Sequence, residues 1–567
     1  MNTKRIAMAV IPLLLAFFMA ILDTGIVNVV LPKMTAHYGA SVQSISWVVN
    51  GYSLSFAVFL LTASRLADQF GRKKAFVAGL LLFTVSSLLC GLSDTVGLLI
   101  MFRVLQGIGA AFIVPLVVPL LLALFPPEKR AMLVGITGAL AGLAAASGPA
   151  LGGVLSDRLD WQWVFYINIP FGIAAVALAA YALRESVDPT AGRRLDWGGM
   201  LTASAFALTL TLALMQANDK GWTSAYILTL FAVAAVSLYL FVRIETNVRE
   251  PMLPLSLFRI GKFTAGNAGL FLLGVGMTGP TFVLAFFLTE VVGMTELRTG
   301  LIISVLAVAS MICSVFAAKG VEKLGARPFS VTGMLLLGLG TYLLAGLDGD
   351  SATWAYVWRL VIAGMGTGLT IAPLTAATLM LAPEDKATIA MGLGTMSRTL
   401  GTVFGIAVLV ALLSHTTRTG MELGKEEAIR LVAESSLPAD AKAAWAESLG
   451  GAGSSGGIRE ARGAMAAKLA AEMERLEKKA TEAAPLAEKE RVKASFEKQK
   501  REMEPLMTQV RKTFDDRLSG AFGLVFRWSS LALLLGAVFA FLNGERTSRR
   551  IVGGKEAAAQ TAKQARG

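Results

Sequence analysis

The sequence predicts an all-α membrane protein with fourteen transmembrane helices, and three observations lead to this prediction. The 567-residue chain is 55% hydrophobic and 16% charged, with a mean hydropathy of +0.63, whereas charged residues make up about a quarter of an average soluble protein. Its apolar residues are grouped into runs of roughly twenty, the length that a helix needs to cross a bilayer. Short loops rich in Lys and Arg alternate with loops that contain few of them.

The apolar runs fall into three groups, which define the predicted domains. The first six lie at 6–31, 45–63, 75–93, 97–125, 131–155 and 163–183, two more at 197–217 and 225–242, and the last six at 264–291, 299–318, 329–347, 354–381, 387–414 and 518–543. The predicted parts are an N-terminal six-helix bundle (6–183), a connector with an inserted helix pair (184–263), a C-terminal six-helix bundle (264–415 and 518–543), an extracytoplasmic insert (416–517) and a basic tail (544–567).

The positions of the basic residues predict the orientation of the chain. Lys4 and Arg5, the run 72–74 and the segment 319–327 all fall on one set of alternate loops. By the positive-inside rule, both termini then face the cytoplasm of a bacterial cell and the insert faces outward. A net charge of +13 would also suit a nucleic-acid-binding protein. Cations placed in this way set topology instead, so we expect contact with the lipid bilayer and no nucleic-acid partner.

The first apolar run could be read as a signal peptide, because Lys4 and Arg5 precede it. It continues to Leu31, well past the small residues around Ala20, and is therefore too long for the core of a signal peptide. We expect a retained first transmembrane helix.

Catalysis and cofactor binding are poorly supported by the sequence. The only two cysteines, Cys90 and Cys313, lie inside apolar runs, and the only two histidines, His37 and His415, lie at the edges of runs and form no ligand cluster. The sequence has no glycine-rich loop of the type that holds ATP phosphates, and no set of nucleophile, base and orienting residue. We expect no enzymatic activity, no metal and no cofactor.

The chain repeats itself at a spacing of roughly 255 residues. The segment 127–131 recurs as 383–387, and Arg103 at the head of one run is answered by Arg359. Both members of each pair fall on the same predicted side of the membrane. The two six-helix bundles are therefore predicted to be parallel repeats, related by an axis along the membrane normal.

The insert 416–517 is predicted to be a helical hairpin. A glycine-rich joint at 450–457 is followed by two apolar stripes at helical spacing, one over 458–476 and one over 492–514, with Pro485 between them. Proline ends or kinks a helix, which places the turn of the hairpin there. The two stripes could cover each other, or the hairpin could dock a periplasmic or extracellular partner.

Charged residues inside apolar runs are expensive to insert and mark functional sites by default. Asp23 and Arg103 lie at similar depths, about 12 Å and about 9 Å from the outer ends of their helices at the rise of an α-helix. Shared depth permits an ion pair between them. The alternatives are a hydrated acid near the interface and an arginine whose side chain reaches the interface.

Three further residues are candidates for the lining of a substrate cavity. Arg398 lies roughly 17 Å into its run, near the middle of the bilayer, where it could favour anionic groups or bind a structural carbonyl. Glu290 lies near the outer end of its run, where a solvated interfacial role is the alternative. Gln106 follows Arg103 by one helical turn.

Four stretches of sequence resemble motifs of the major facilitator superfamily, and in particular its fourteen-span drug:proton antiporter branch. The stretches are 64–74 (with Ser64 where glycine is usual), 22–32 (with Gly25 and Val30 as departures), 103–111, and 144–153 (with Ala144 at its first glycine). A fifth stretch, 161–170, is similar to another signature of the same branch, with Gln162 in place of arginine. The resemblance covers nearly the whole chain except the insert.

The resemblance implies a major facilitator fold and a proton-coupled antiporter, powered by the proton gradient, that exports hydrophobic or amphipathic small molecules. It also implies roles for particular residues: proton coupling for Asp23 and Arg103, a conformational latch at Asp68, Gly71 and Arg72, and the packing motif typical of exporters at Gly148, Pro149, Gly152 and Gly153. Two other functions stay open. One is transport of a lipid or native metabolite by the same fold, and the other is a membrane scaffold or receptor that binds a partner through the insert.

Overall fold

The computed structural model describes residues 3–125, 130–187, 196–248, 251, 253, 255–383, 387–435, 442, 478 and 489–543. The helices are α1 Thr3–Tyr38, α2 Val42–Phe70, α3 Arg72–Gly91, α4 Val96–Leu124, α5 Arg130–Arg158, α6 Trp163–Tyr166, α7 Asn168–Ala182, α8 Trp197–Lys220, α9 Ala225–Asn247, α10 Gly261–Thr278, α11 Leu284–Phe286, α12 Glu296–Leu324, α13 Ala326–Leu344, α14 Thr353–Leu379, α15 Ala387–Glu434 and α16 Lys489–Asn543. A 3₁₀ helix, Leu255–Arg259, precedes α10, and two π-helical segments, Gly279–Val283 and Phe287–Val291, flank α11. We call the end of the bundle where α1 begins the near end and the end where α1 finishes the far end.

The helices begin and end where local chemistry dictates. Ser41, Thr95 and Thr295 cap α2, α4 and α12, because each hydroxyl accepts a hydrogen bond from a backbone N–H of the first turn. Gly71 separates α2 from α3 with φ of 116°, and Gly325 separates α12 from α13 with φ of 80°. These one-residue turns occupy equivalent places in the two sequence repeats, and only glycine adopts such angles without strain.

The predicted spans agree with the helices in place, while their number is not settled. Among the described residues, eleven helical segments are long and apolar enough to cross a membrane, and the segment 261–291 counts as one of them. The predicted spans 45–63 and 131–155 lie within α2 and α5, and the predicted span 329–347 extends three residues past the end of α13. These three helices are not among the eleven. The structure is thus an all-helical membrane protein, and the total of fourteen spans stays a prediction.

The inserted helix pair lies against both halves of the chain. Helices α8 and α9 pack together, and α8 also contacts α2 and α15. Met200 of α8 shares an apolar cluster with Ala57 of α2 and Leu393 of α15. Much of α9 is exposed, including Val233 and Val236, as expected of a helix at the periphery that faces lipid.

The insert is continuous with the spanning helices, which differs from the predicted boundaries at 415 and 518. Helix α15 continues to Glu434 and α16 already begins at Lys489. At the base of the insert, Phe514 lies against Gly424 of α15, and Arg517 binds Glu427 at 2.8 Å. The C-terminal part of the second apolar stripe is therefore covered by α15. The first stripe, the glycine-rich joint, Pro485 and the basic tail lie outside the described residues.

Candidate functional site

The centre of the N-terminal half holds a buried ion pair. A terminal nitrogen of Arg103, on α4, binds the Asp23 carboxylate, on α1, and the two side chains are 1% and 0% exposed. The Arg103 Nε also donates to the Val48 carbonyl on α2 at 2.9 Å, and its guanidinium lies 4.2 Å from the centre of the Tyr52 ring. The pair that the sequence permits is thus formed, and residues of α1 and α2 orient the arginine.

A network of neutral polar groups completes the environment of Asp23. Gln106 Nε2 donates to Asp23 Oδ1 at 3.1 Å and its Oε1 accepts from Arg103 at 2.8 Å. Asn168, at the start of α7, donates to the same carboxylate oxygen at 3.4 Å and to Ser87 Oγ at 3.1 Å. Buried polar groups are tolerated when they are hydrogen-bonded. The carboxylate accordingly has partners from α4 and α7, and Ser87 adds a link to α3.

The structure places Gln106 in this network and gives it no exposed surface. The sequence predicts Gln106 in the lining of a substrate cavity. Its one-turn spacing from Arg103 explains the difference, since residues three apart lie on the same face of a helix, and here that face points at Asp23. Gln106 therefore positions the ion pair in the arrangement that the structure describes.

The glycine-rich part of α5 packs on both halves of the chain at the far end. A Cβ at Gly148 or Gly152 would come close to the backbone of Ile26 on α1, and a Cβ at Gly153 would lie less than 3.0 Å from the Glu296 carbonyl oxygen on α12. Pro149 makes the reciprocal contact, because its carbonyl oxygen leaves no room for a Cβ at Gly300 of α12. The backbones touch only because these residues are small. Helix α5 thus connects the helix of Asp23 to the C-terminal half.

Exposure changes steadily along one face of α15. Met391, nearest the near end, is 49% exposed, Thr395, Arg398 and Thr402 are half-buried, and Leu409 is buried in the main core. These residues are spaced by three, four and seven positions, so they share one helix face. A face turned to lipid would stay exposed along its length. The gradient therefore indicates an interior space that is accessible from the near end and closed at the far end.

Helix α1, in the other half, also has an accessible stretch at mid-helix that gives way to buried residues towards the far end. Thr24 is exposed and Ile21 and Asn28 are half-buried, whereas Leu31 and Thr35, on the same face towards the far end, are buried. Two helices from different halves thus present partly accessible polar side chains at mid-bundle. This is the geometry of a cavity between two helical bundles.

Comparisons with known proteins agree with this architecture. The sequence profile described as Major Facilitator Superfamily matches residues 13–406. The chain belongs to the major facilitator superfamily. It is 34% identical to the "Multidrug transporter protein MdtP" of Bacillus subtilis (strain 168), over 71% of this chain and 74% of that protein. It is 31% identical to the "Tetracenomycin C resistance and export protein" of Streptomyces glaucescens, over 70% and 74% of the two chains.

Solved structures support the fold alone. A bacterial homologue of the human lysosomal transporter Spinster, solved in an inward-facing and unoccupied conformation, aligns with a TM-score of 0.57 at 14% identity and covers 96% of this chain and 98% of that one. An auto-inhibited POT family peptide transporter aligns with a TM-score of 0.56 at 12% identity, over 74% and 91% of the two chains. Membership of the major facilitator superfamily, together with relatives named as transporters, makes the protein a multi-pass membrane transporter rather than an enzyme.

The turn predicted as a latch in this transporter is held by an acid that sequence analysis missed. The Glu185 carboxylate, after α7, accepts hydrogen bonds from the backbone nitrogens of Lys73 and Lys74 at 3.0 and 3.3 Å. The Arg72 nitrogen donates to the Ser186 carbonyl at 2.9 Å, and Glu185 fills the place that a Cβ at Gly71 would need. A carboxylate at a helix N-terminus is favourable, since the helix dipole is positive there.

The remaining predicted site residues are more dispersed. The backbone of Asp68 lies in the last turn of α2, and its side chain is outside the described residues. Glu290 is half-buried in the π-helical segment Phe287–Val291, near the far end and away from the ion pair. Asn168 and Ser87 are not among the site residues predicted from the sequence. Asn168 lay within a quoted motif and offered a signal, whereas Ser87 in an apolar run offered none.

Proposed function

We propose that this transporter exports hydrophobic or amphipathic small molecules from the cytoplasm in exchange for protons. The observation that carries the proposal is the buried carboxylate of Asp23, paired with Arg103 and adjacent to the mid-bundle cavity. An acid inside a membrane bundle is expensive to insert and is typical of proton relays. Relatives at 31% to 34% identity named for multidrug transport and for antibiotic resistance and export support small-molecule efflux.

The cavity opens at the near end, which the basic loops predict to be cytoplasmic. An exporter takes up its substrate from the cytoplasm or the inner leaflet in this state. Apolar and small polar side chains, such as Ile21 and Thr24 on α1 and Thr395 on α15, line the accessible faces. Such a lining suits amphipathic compounds, because ligand sites are mostly apolar with a few polar groups that fix orientation.

Coupling requires that the proton affinity of the carboxylate differ between the two states of the transporter. The route for this lies in the packing of α5. Gly148 contacts α1 three residues from Asp23, and Pro149 contacts Gly300 in the other half. When the far end opens, α5 separates from α12, and the position of α1 relative to α5 changes. The hydration of Asp23 and its distance from Arg103 then change together, and with them the proton affinity.

The latch belongs to the same cycle. Glu185 holds the start of α3 to the end of α7 inside the N-terminal half, so the turn at Gly71 is rigid within that half. Asp68 and Arg72 sit beside this turn at the predicted cytoplasmic side. A contact from them to the C-terminal half, present in only one state, would bias the equilibrium between the inward-open and outward-open forms.

Two alternatives lead to different results in one experiment. Purified protein is placed in liposomes, and uptake of the cationic dye ethidium is followed with and without an imposed pH gradient. Proton-coupled export predicts gradient-dependent accumulation that a protonophore abolishes. A transporter of a lipid or native metabolite would leave the dye unmoved yet respond to its own substrate. A scaffold or receptor working through the insert would move no solute, and that result would refute the proposal.

A further inference from the structure

Arg398 lies within the helical bundle, and no acid of the described residues pairs with it. Its side chain is half-buried and keeps accessible surface on the face of α15 that lines the cavity. Its carbonyl oxygen packs against Gly274 of α10, so the backbone of α15 is fixed at this position. Among the described residues, no hydrogen bond or ion pair of the guanidinium is found.

The contrast with Arg103 shows why this matters. Arg103 is fully buried, its charge is balanced by Asp23, and its side chain is fixed by Val48 and Tyr52. A charged side chain inside a membrane bundle without a partner is expensive to insert. A chain keeps such a group when something else supplies the opposite charge or when water reaches it. Because Arg398 keeps accessible surface, water or an anionic group can reach its guanidinium.

The polar side chains next to Arg398 leave its guanidinium as the donor group on this face of α15. Thr395 and Thr402 flank Arg398 on the same face of α15, one turn below and one turn above it. Ser397, the preceding residue, donates to the Asn267 Oδ1 of α10 at 3.1 Å. These hydroxyls donate elsewhere, Thr395 to the Met391 carbonyl, Thr402 to the Arg398 carbonyl and Ser397 to Asn267. The guanidinium fork therefore supplies the donors and one fixed positive charge, which match a carboxylate, sulfonate or phosphate group.

We propose that Arg398 binds an anionic group of the transported compound, so that the protein handles anionic or zwitterionic amphiphiles and not only cationic ones. This inference rests on the proposed export function and names a substrate class for it. The apolar part of the compound lies along the cavity between α1 and α15. Its anionic end lies against Arg398, at the depth where the accessible stripe passes into the closed far end.

The experiment compares two probes that differ only in their charged end. One is dansylaminoundecanoate, and the other carries a trimethylammonium group in place of the carboxylate. Their dissociation constants are measured by dansyl fluorescence in nanodiscs of phosphatidylcholine, which has no net charge, and their transport is measured in liposomes of the same lipid. Arg398→Gln should weaken binding of the carboxylate probe by about 10- to 100-fold, the worth of a charge-assisted hydrogen bond, and leave the trimethylammonium probe unchanged. Arg398→Lys should fall between Gln and wild type, because it keeps the charge and loses the fork.

Arg359→Gln is the matched control, since it removes the same charge from a residue that donates to the Ala355 carbonyl of its own helix at 2.9 Å. It should bind both probes as the wild type does. Equal weakening of both probes by Arg398→Gln would mean a structural role and would overturn the inference, as would no change in either. If added phosphatidylglycerol displaces the carboxylate probe from the wild type, the site belongs to a lipid headgroup and the inference about substrate fails.

The same data separate this inference from the proposed function. Wild-type transport of the trimethylammonium probe, with no effect of Arg398→Gln on the carboxylate probe, leaves export intact and refutes the role of Arg398. Tight Arg398-dependent binding of the carboxylate probe without transport of either probe supports the anion site and refutes export. Failure of the wild type to bind either probe refutes both.

Discussion

Replacing Asp23 by asparagine tests the proposed coupling most directly. The two side chains have the same shape, and asparagine keeps a carbonyl oxygen that can accept from Gln106 and Asn168, as Asp23 Oδ1 does. What it lacks is a negative charge and a site for a proton. We expect Asp23→Asn to lose substrate accumulation driven by a pH gradient and to retain exchange of substrate down its own gradient.

The size of the effect follows from the energy that one proton carries. A gradient of two pH units is worth about 2.7 kcal/mol per proton, and each tenfold substrate gradient costs about 1.4 kcal/mol. Exchange of one proton for one neutral molecule therefore supports an accumulation of up to about 100-fold. The variant should reach no accumulation at all, while its rate of substrate exchange in the absence of a pH gradient stays within a few-fold of the wild type.

The variant also leaves Arg103 buried without its counter-ion. Removing one partner of a buried ion pair destabilises a protein by about 3–5 kcal/mol. The Val48 carbonyl and the Tyr52 ring remain against the guanidinium, so we expect the lower end of that range, measured by thermal unfolding in detergent. The double variant Asp23→Asn with Arg103→Gln removes both charges and should recover most of the stability without recovering coupling. Normal uphill accumulation by Asp23→Asn would refute the assignment and make Glu290 the next carboxylate to test.

Three further changes test the packing, the turn and the insert. Gly300→Ala adds a Cβ less than 3.0 Å from a carbonyl oxygen of α5 and should lower the thermal midpoint and the transport rate, whereas Gly520→Ala, which meets nothing within 4 Å, should change neither. Glu185→Gln removes the charge that binds two amides at the start of α3. It should lower the free energy of unfolding by about 1 kcal/mol and slow turnover, with little effect on substrate binding. Equal losses in turnover and in substrate affinity would place Glu185 in folding or in the substrate site. Replacing 436–488 by a short Gly/Ser joint should leave a monodisperse, membrane-inserted protein, because the base of the insert is held by α15 and α16 themselves; aggregation on size-exclusion chromatography would count against this.

The location of the spanning helices could be predicted because an apolar run of bilayer length has few other uses. The ends of α15 and α16 could not be predicted in the same way. Residues 416–434 and 489–517 are hydrophilic on most faces, and nothing in their composition distinguishes a continuation of the spanning helix from a separate hairpin. The tertiary contact that decides it, Phe514 against Gly424, joins segments about ninety residues apart.

The contacts within the site also differ in how far the sequence predicts them. Depth along a helix can be counted from the sequence, so the pairing of Asp23 with Arg103 was accessible to prediction. Rotation about the helix axis and the neighbour that each face meets depend on packing, and they determine that Gln106 faces Asp23 instead of the cavity. Glu185 lies 112 residues from the nitrogen it binds, in a polar connector where acids are common. Its role is visible only once α7 ends beside the start of α3.

The two halves share a fold but differ in their charged residues, and this difference affects the energetics of transport. Arg359, the counterpart of Arg103, donates to its own helix and lies against Trp358, and Thr278 stands about where the repeat would place an acid matching Asp23. The proposed proton site thus lies in the first half and the proposed anion site at Arg398 in the second. A proton and a substrate bound on different helices influence each other only through the state of the whole bundle, which the contact of α5 with α12 transmits. Export of a singly charged anion against entry of one proton would move two elementary charges, about 4.6 kcal/mol per 100 mV. For such substrates the membrane potential would contribute more than the pH gradient does.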